Sequence, residues 1–366
     1  MPERASPFLA SLADLPGYRS TWLQPEGRQV KLNHNESAED APAALKQQAL
    51  ARLAAAPWHR YPDPRASGLR GALAANLGVS GASVVLGNGG NELIGRLFQS
   101  LRRDATVLLC SPGYYVYRRA ADGLGLASDD VPLVTDAATG AAFTLDAEAV
   151  LARARRCACP VLCLAQPNNP TGNLLGQAAL DRVFAGFAEL SGLIVIDEAY
   201  ADYSGVSRIG SVATRRDIVI LRTFSKAFGL AGIRLGALVA HPQTAATIEK
   251  MAPPYAVGLA AQVIGEAALD CVDEVRALAR RTVVERERVA TALATLPGVH
   301  VHPSATNFLL VDLGEHVTAV AAALVADAIT VRDLATVPGL RQCLRLTVGS
   351  ASENDRVIAA VRMAVS

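Results

Sequence analysis

A lysine and an arginine eight residues apart stand in an apolar, glycine-rich segment, RTFSKAFGLAGIRLG, residues 222–236. A lysine among small apolar side chains loses hydration, and this loss lowers the pKa of its amine. The neutral amine of Lys226 could then attack a carbonyl carbon. For this segment taken alone, an ordinary surface lysine after a strand is the alternative interpretation.

A second segment, GLIVIDEAYADY, places Asp197, Glu198 and Tyr200 at the end of a continuous apolar run. Such runs are typical of buried strands in parallel sheets, which bind ligands at the carboxyl ends of their strands. A buried carboxylate at that position requires a cationic partner. The pattern also resembles the metal-binding strand of nucleotide hydrolases, but the sequence has no phosphate loop with GK[ST], which that class requires.

Two further segments, rich in glycine and asparagine, could complete a binding site. In GNGGNELIGRLF, residues 87–98, glycines lead into an amphipathic helix. The free N–H groups and the dipole of such a helix favour phosphate binding. In QPNNPTGN, residues 166–173, two prolines and a glycine fix a loop that could hold Asn169 against a ring substituent. Each of these segments, taken alone, also fits a plain turn.

The apolar pattern predicts the elements that must position these segments. Short runs rich in Val, Ile and Leu alternate with helical patterns, and these runs are SVVLG, ATVLLC, CPVLCLA, GLIVID, DIVILR and RLGALVA. The alternation predicts an α/β domain whose mainly parallel sheet is covered by helices. From about Gly258 a long helical stretch precedes a few more strands and helices, which predict a smaller α+β domain.

Length, composition and charge bound the remaining possibilities. A chain of 366 residues exceeds the size of most single cores, so we expect two domains. We predict an N-terminal arm (1–24), a large domain (46–258) and a small domain (25–45 with 259–366).

The net charge of +1 and the scattered basic residues do not favour nucleic acid binding. No apolar run approaches the about 18 residues that span a bilayer. The first twenty residues lack a secretory pattern, so we expect a cytoplasmic protein.

Six cysteines occur in the sequence, and most have apolar neighbours. Reduced thiols in a reducing compartment are therefore the expected state. The spacing of Cys157, Cys159 and Cys163 matches no standard zinc pattern, and we predict no metal site.

The order of GNGGNE, SPGYY, NNPTG, DEAY and SKAFGLAGIRLG resembles the fold type I (class I/II) aminotransferases, which use pyridoxal phosphate, over most of the chain. The resemblance implies a large domain with a mainly parallel, seven-stranded sheet and a smaller α+β domain. It also implies that Lys226 carries the cofactor as a Schiff base and moves the substrate proton. Asp197 would pair with the ring nitrogen, so that the ring can take up electrons.

The resemblance implies the other cofactor contacts as well. Asn169 and Tyr200 would hold the ring oxygen, and Tyr114 would stack on the ring face. The cofactor phosphate would be bound by five residues: Gly90, Asn91, Thr223, Ser225 and Arg234.

Among these enzymes, the sequence is most similar to histidinol-phosphate aminotransferases, through KLNHNE, RYPDP, TNFLLV and CLRLTVG. That similarity implies a homodimer in which Tyr61 reaches the cofactor phosphate of the neighbouring subunit. It implies that Arg345 and Arg332 bind the anionic end of the substrate, with Tyr18 and Asn33 as further contacts. The expected reaction exchanges amino and oxo groups between L-histidinol phosphate and 2-oxoglutarate in histidine biosynthesis.

The sequence departs from that family at Asn91, where an aspartate is usual, and around His34 and Ser37. These departures keep two other enzyme classes open: an aminotransferase for aromatic or other amino acids, and a decarboxylase of phosphorylated amino acids. A non-catalytic regulatory module that binds pyridoxal phosphate is the alternative from another class. Such modules usually carry an added basic DNA-binding segment, and such decarboxylases usually vary the SKAFGLAG stretch.

Overall fold

The computed structural model describes residues 12, 15, 30–135 and 141–366. Its strands, in chain order, are β1 (Val30–Leu32), β2 (Val84–Gly87), β3 (Ala105–Ser111), β4 (Ala127–Pro132), β5 (Cys159–Ala165), β6 (Leu193–Asp197), β7 (Ile218–Thr223), β8 (Gly236–Ala240), β9 (His300–Val301), β10 (Phe308–Asp312), β11 (Ile329–Asp333) and β12 (Cys343–Thr347). Its α-helices are α1 (Ala43–Ala55), α2 (Ser67–Leu77), α3 (Gly90–Gln99), α4 (Val116–Leu124), α5 (Ala147–Ala154), α6 (Gln177–Phe187), α7 (Ala201–Ser204), α8 (Pro242–Glu249), α9 (Leu259–Asp270), α10 (Val272–Ala294), α11 (Val317–Ala326) and α12 (Ala351–Val365).

The larger sheet contains seven strands in the order β2-β8-β7-β6-β5-β3-β4. Strand β8 is antiparallel to both of its neighbours, and the other pairs are parallel. The six apolar runs of the sequence form β2, β3, β5, β6, β7 and β8. These strands are apolar throughout because helices cover both faces of the sheet. The predicted α/β class and the seven-stranded sheet are confirmed.

Alternate side chains of the central strands enter two different cores. Val161 and Val195 pack with helices α3, α4 and α8 on one face. Leu162 and Ile196 pack with helices α5 and α6 on the other face. Because β5, β6 and β7 are parallel, their carboxyl ends meet at one edge of the sheet, which is where the predicted site segments begin.

Strand β4 is the one strand of this sheet that the apolar pattern does not reveal. Its sequence is ASDDVP, and Val131 is its only buried residue. Asp129 and Asp130 form ion pairs with Arg153 and Arg118. Charged residues are common on edge strands because they discourage pairing with other chains, so the pattern here is polar.

The second sheet has the order β1-β11-β12-β10-β9. Strand β1 is an edge strand, parallel to β11, so an early segment of the chain joins a sheet built mainly from late ones. Apolar residues of α10, α11 and α12 cover this sheet. The predicted domain limits stay a prediction. Within the described ranges, no helix combines the length and apolar character needed to cross a bilayer.

Candidate active site

Asp197 is a buried carboxylate at the end of strand β6, with 5% of its surface exposed. Its Oδ2 accepts a hydrogen bond from the Tyr117 hydroxyl at 3.2 Å, and its Oδ1 accepts one from the Ala199 N–H at 3.0 Å. Burial is the main cause that raises the pKa of Asp197, to about 6. Among the described residues no lysine or arginine forms an ion pair with it. This carboxylate is therefore placed to bind a cation that the described residues do not supply.

Lys226 lies just beyond strand β7, at the same edge of the sheet as Asp197. Its Nζ donates a hydrogen bond to the carbonyl oxygen of His34 at 2.8 Å and lies 5.9 Å from the centre of the Tyr200 ring. Burial, followed by the positive charge of Arg345, lowers the pKa of Lys226 to about 7. Asp197 acts in the opposite direction on this pKa, so the two groups are close enough to interact. A neutral, nucleophilic amine is thus available near neutral pH.

Helix α3 begins at Gly90, and the preceding Gly89 has no side chain that could cap its first turn. The Arg234 guanidinium lies against this turn. A Cβ atom added to Gly89 would lie only 2.4 Å from Nη2 of Arg234, so only glycine leaves room for the guanidinium. Arg234 Nη1 donates to Ser225 Oγ at 3.3 Å, and the Ser225 N–H donates to Thr223 Oγ1 at 3.1 Å. An uncapped helix start beside a guanidinium and hydroxyl groups suits a phosphate.

Tyr114 connects this end of the site, where a phosphate would fit, to the Asp197 carboxylate. Its hydroxyl donates a hydrogen bond to Asn91 Oδ1 at 2.9 Å. The centre of its ring is 6.1 Å from that of Tyr117, whose hydroxyl contacts Asp197. Asn91, which replaces the aspartate usual in the resembled family, therefore accepts a hydrogen bond from Tyr114 without adding a negative charge.

Arg345 occupies the opposite side of the site, on strand β12. Its Nη1 donates to Asn169 Oδ1 at 2.6 Å, and its Nη2 donates to the carbonyl oxygen of Asn33 at 2.7 Å. Its guanidinium lies 5.2 Å from the centre of the buried Phe308 ring. Its Nε is buried and has no hydrogen-bond partner in the described part of the chain. This donor is available to an anionic ligand.

Arg332 stands directly opposite Arg345 in the antiparallel pair of strands β11 and β12. Residues in such a pair point to the same face of the sheet. Burial is the main cause that lowers the pKa of Arg345, and the charge of Arg332 lowers it further. Two neighbouring guanidinium groups repel each other unless an anion binds to them. Their placement therefore favours an anionic substrate group.

Comparison with known proteins identifies the family. A model of the aminotransferase class I and II family matches residues 27–361. A histidinol-phosphate aminotransferase from Roseiflexus castenholzii is 38% identical over 346 residues, which cover 91% of this chain and 89% of the relative. The chain belongs to the aminotransferase class I and II family.

Two other relatives agree with this identification of the aminotransferase. A histidinol-phosphate aminotransferase from Methylibium petroleiphilum is 39% identical over 348 residues, covering 93% of this chain and 90% of the relative. The crystal structure of histidinol-phosphate aminotransferase from Sinorhizobium meliloti, in complex with pyridoxal-5'-phosphate, is 28% identical and superposes with a TM-score of 0.85. That superposition covers 99% of this chain and 98% of the other. The predicted family and enzyme class are confirmed.

The structure of the aminotransferase brings most of the predicted site residues together, while their individual roles stay predictions. The clustered residues are Lys226, Asp197, Tyr200, Gly90, Asn91, Tyr114, Asn169, Thr223, Ser225, Arg234, Arg345, Arg332 and Asn33. Tyr61 instead lies at the surface, 79% exposed, and its ring stacks on Tyr255 with 4.4 Å between centres. Tyr18 lies outside the described residues.

Sequence reasoning did not assign Tyr117 or Asn35 to the aminotransferase site. Tyr117 contacts Asp197, and the available signal was its position one turn after Tyr114 in SPGYYVY. Asn35 donates a hydrogen bond from Nδ2 to the Tyr200 hydroxyl at 2.8 Å. Its signal was the motif KLNHNE, in which only Asn33 was assigned a role.

The described cysteines and other possible metal ligands are not arranged as a metal centre. The six cysteines have free thiols. In the described part of the chain, no three His, Cys, Asp or Glu side chains are grouped so that they could hold a metal ion.

Proposed function

We propose that this aminotransferase binds pyridoxal phosphate through Lys226 and exchanges amino groups between L-histidinol phosphate and 2-oxoglutarate. One observation carries the cofactor assignment: a buried amine with a pKa of about 7 stands near a buried carboxylate that lacks a cationic partner among the described residues. The names of the Roseiflexus castenholzii and Methylibium petroleiphilum relatives support the substrate. The cofactor in the Sinorhizobium meliloti structure supports pyridoxal phosphate.

The residues present fit this cofactor at three points. The uncapped start of helix α3, with Arg234 and Ser225, would bind the phosphate dianion. Asp197 would face the ring nitrogen and keep it protonated. Asn169 and Tyr200 would hold the ring oxygen. When bound, pyridoxal phosphate supplies an electron sink for the charge left on the substrate carbon after its proton is removed.

Lys226 would be the group that moves the substrate proton. Its Nζ, as a neutral amine, accepts the proton from the substrate Cα, and a pKa near 7 lets it release that proton again at neutral pH. The hydrogen bond from Nζ to the His34 carbonyl keeps the amine at this end of the site before the cofactor binds. A lysine with an ordinary pKa would hold a proton at neutral pH and could not act as a base.

Arg345 and Arg332 would bind the anionic end of each substrate in turn. The donor carries a phosphate and the acceptor a carboxylate, and the planar guanidinium forms paired hydrogen bonds with either group. The buried Nε of Arg345 is a donor that such an anion would satisfy. The same pair of arginines can therefore serve both half-reactions.

The proposal includes a homodimer in which Tyr61 completes the site of the partner subunit. The exposed stack of Tyr61 on Tyr255, and Trp58 with 74% exposure, supports an interface on this surface. Exposed aromatic side chains are enriched where proteins associate.

The free cysteine thiols support a cytoplasmic location, where thiols stay reduced.

A comparison of amino donors tests the proposal. Wild-type protein with pyridoxal phosphate should give a visible absorption band that decays faster with L-histidinol phosphate than with L-phenylalanine. Lys226→Ala should lose the covalent band and turnover, while the surface variant Lys250→Ala should keep both. Faster decay with L-phenylalanine would refute the substrate assignment. Normal turnover by Lys226→Ala would refute the cofactor assignment.

A further inference from the structure

Three consecutive residues of the motif KLNHNE each contact a different residue of the proposed site. The carbonyl oxygen of Asn33 accepts a hydrogen bond from Arg345, and that of His34 accepts one from Lys226. The third residue, Asn35, differs because it acts through its side chain. Its Nδ2 donates a hydrogen bond to the Tyr200 hydroxyl at 2.8 Å.

The surroundings of Asn35 fix the direction in which its amide points. The residue is buried, with 1% exposure, and its backbone is in the left-handed region at φ 54°. Its Oδ1 accepts a hydrogen bond from Thr347 Oγ1 at 3.2 Å, and its backbone N–H donates a hydrogen bond to Thr347 Oγ1 at 3.0 Å. Its carbonyl oxygen accepts from Asn307 Nδ2 at 3.1 Å. Since Oδ1 is occupied by Thr347, the NH₂ group is the end that faces Tyr200.

This arrangement determines where the Tyr200 proton can go. A phenol has one proton to donate, and the Asn35 NH₂ group cannot accept it. Tyr200 is itself buried, and burial raises its pKa to about 12, so the phenol keeps its proton at neutral pH. The Tyr200 proton is therefore available to an acceptor other than Asn35.

We propose that Asn35 is a positioning residue that directs the Tyr200 proton toward the ring oxygen of the bound cofactor. This inference rests on the proposed function, in which Tyr200 holds that oxygen. A hydrogen bond donated to the ring oxygen stabilises its negative charge. The nitrogen that joins Lys226 to the cofactor then loses its proton at lower pH, because the ring oxygen attracts that proton less strongly.

The pH dependence of the cofactor's visible absorption measures this effect directly. In Asn35→Ala the Tyr200 hydroxyl is free to turn away, so we expect the midpoint of the titration to rise by about one pH unit. In Asn35→Asp, which keeps the shape of the side chain, the carboxylate accepts the Tyr200 proton and the midpoint should rise further. Tyr200→Phe should raise the midpoint at least as much as Asn35→Ala does.

A double variant separates positioning from a general structural effect. If Asn35 acts through Tyr200, Asn35→Ala combined with Tyr200→Phe should titrate like Tyr200→Phe alone. The matched control is Asn354→Ala, which removes a similarly buried asparagine that binds Glu285 and Gly349 rather than Tyr200. The control should leave the midpoint unchanged.

The outcomes also separate this inference from the proposed function. A midpoint that stays unchanged in both Asn35 variants, or shifts that add up in the double variant, would overturn the inference alone, provided that wild-type protein shows a band dependent on Lys226. Absence of that band in wild type would overturn the proposed function and the inference with it. If Asn35→Ala does not fold, the titration midpoint of Asn35→Asp is compared with that of wild type. A raised midpoint supports the inference, and an unchanged midpoint overturns it.

Discussion

At the scale of single residues, burial moves the pKa values of Lys226 and Asp197 toward each other, to about 7 and about 6. The pKa values of the same two groups in water differ by about 6.5. Removal from water disfavours the charged form of each group, so it lowers the lysine value and raises the aspartate value. Both groups can therefore change protonation near neutral pH, which suits acid and base chemistry.

The raised pKa of Asp197 predicts that the free energy of unfolding decreases as the pH rises. Because the folded-state pKa exceeds that of the unfolded chain, the stabilising effect of protonation is complete at low pH and is lost as the pH rises through about 6. Asp197→Asn should thus stabilise the cofactor-free protein by about 2–3 kcal/mol at pH 8 and by little at pH 4. Urea unfolding at the two pH values measures this difference.

The same substitution should abolish turnover, since the amide carries no charge to hold a proton on the ring nitrogen. Asp273→Asn, at a side chain that is 90% exposed, is the control and should change stability little at either pH. Destabilisation of Asp197→Asn at pH 8 would contradict the assignment of a buried carboxylate that has lost its hydration.

At the scale of elements, the proposed phosphate-binding end of the site depends on the close approach of strand β8 to the start of helix α3. Gly236 opens β8, and a Cβ added there would stand 3.0 Å from the backbone nitrogen of Gly90 and 3.2 Å from the carbonyl oxygen of Arg222. Both neighbours are backbone atoms that cannot turn aside as a flexible side chain can. Glycine at 236 is what allows the turn and the strand to approach each other.

Gly236→Ala should therefore displace the turn that would bind the phosphate. We expect a loss of stability of about 1–3 kcal/mol and a fall in affinity for pyridoxal phosphate of about tenfold or more. Thermal unfolding and fluorescence titration with the cofactor measure the two effects.

The control is Gly95→Ala within α3, where a Cβ would meet nothing within 4 Å. That variant should gain about 0.5–1 kcal/mol through higher helix propensity and keep its cofactor affinity. Unchanged affinity in Gly236→Ala would contradict the placement of the phosphate.

At the scale of the whole molecule, the position of Tyr61 connects the site to the proposed dimer. The side chain is exposed in the single chain and lies outside the cluster around Lys226. The stack on Tyr255 holds the exposed Tyr61 ring in a defined direction, and in the proposed dimer this ring would face a second subunit. In a symmetric dimer each subunit would then supply Tyr61 to the site that contains Lys226 of the other.

Mixing two inactive variants tests this sharing. Tyr61→Ala and Lys226→Ala should each have low activity, but a dimer with one chain of each kind contains one site with both residues intact. After random exchange of subunits, activity should reach about a quarter of the wild-type value. Lys226→Ala mixed with Asp197→Asn is the control, and it should gain nothing because both residues belong to the same subunit's site. Failure of the first mixture to gain activity, with exchange verified by mass spectrometry, would exclude a shared site.

The sequence by itself determined the fold class, the six apolar strands of the large sheet and most residues of the candidate site, whose individual roles stay predictions. Uniformly apolar runs specify strands buried on both faces, and each short motif places its candidate residue at or near the end of a strand. Lys226, Asp197 and Arg234 could be predicted because the motif around each carries its own chemical signal.

Strand β4 and the contacts of Tyr117 and Asn35 could be identified only from the tertiary structure. Strand β4 pairs along one edge, and its polar side chains carry no apolar signal. Tyr117 binds Asp197 across 80 positions of sequence, and Asn35 binds Tyr200 across 165. Hydrogen bonds between such distant residues depend on the order of strands and on how the two sheets meet, and no local pattern of residues encodes either.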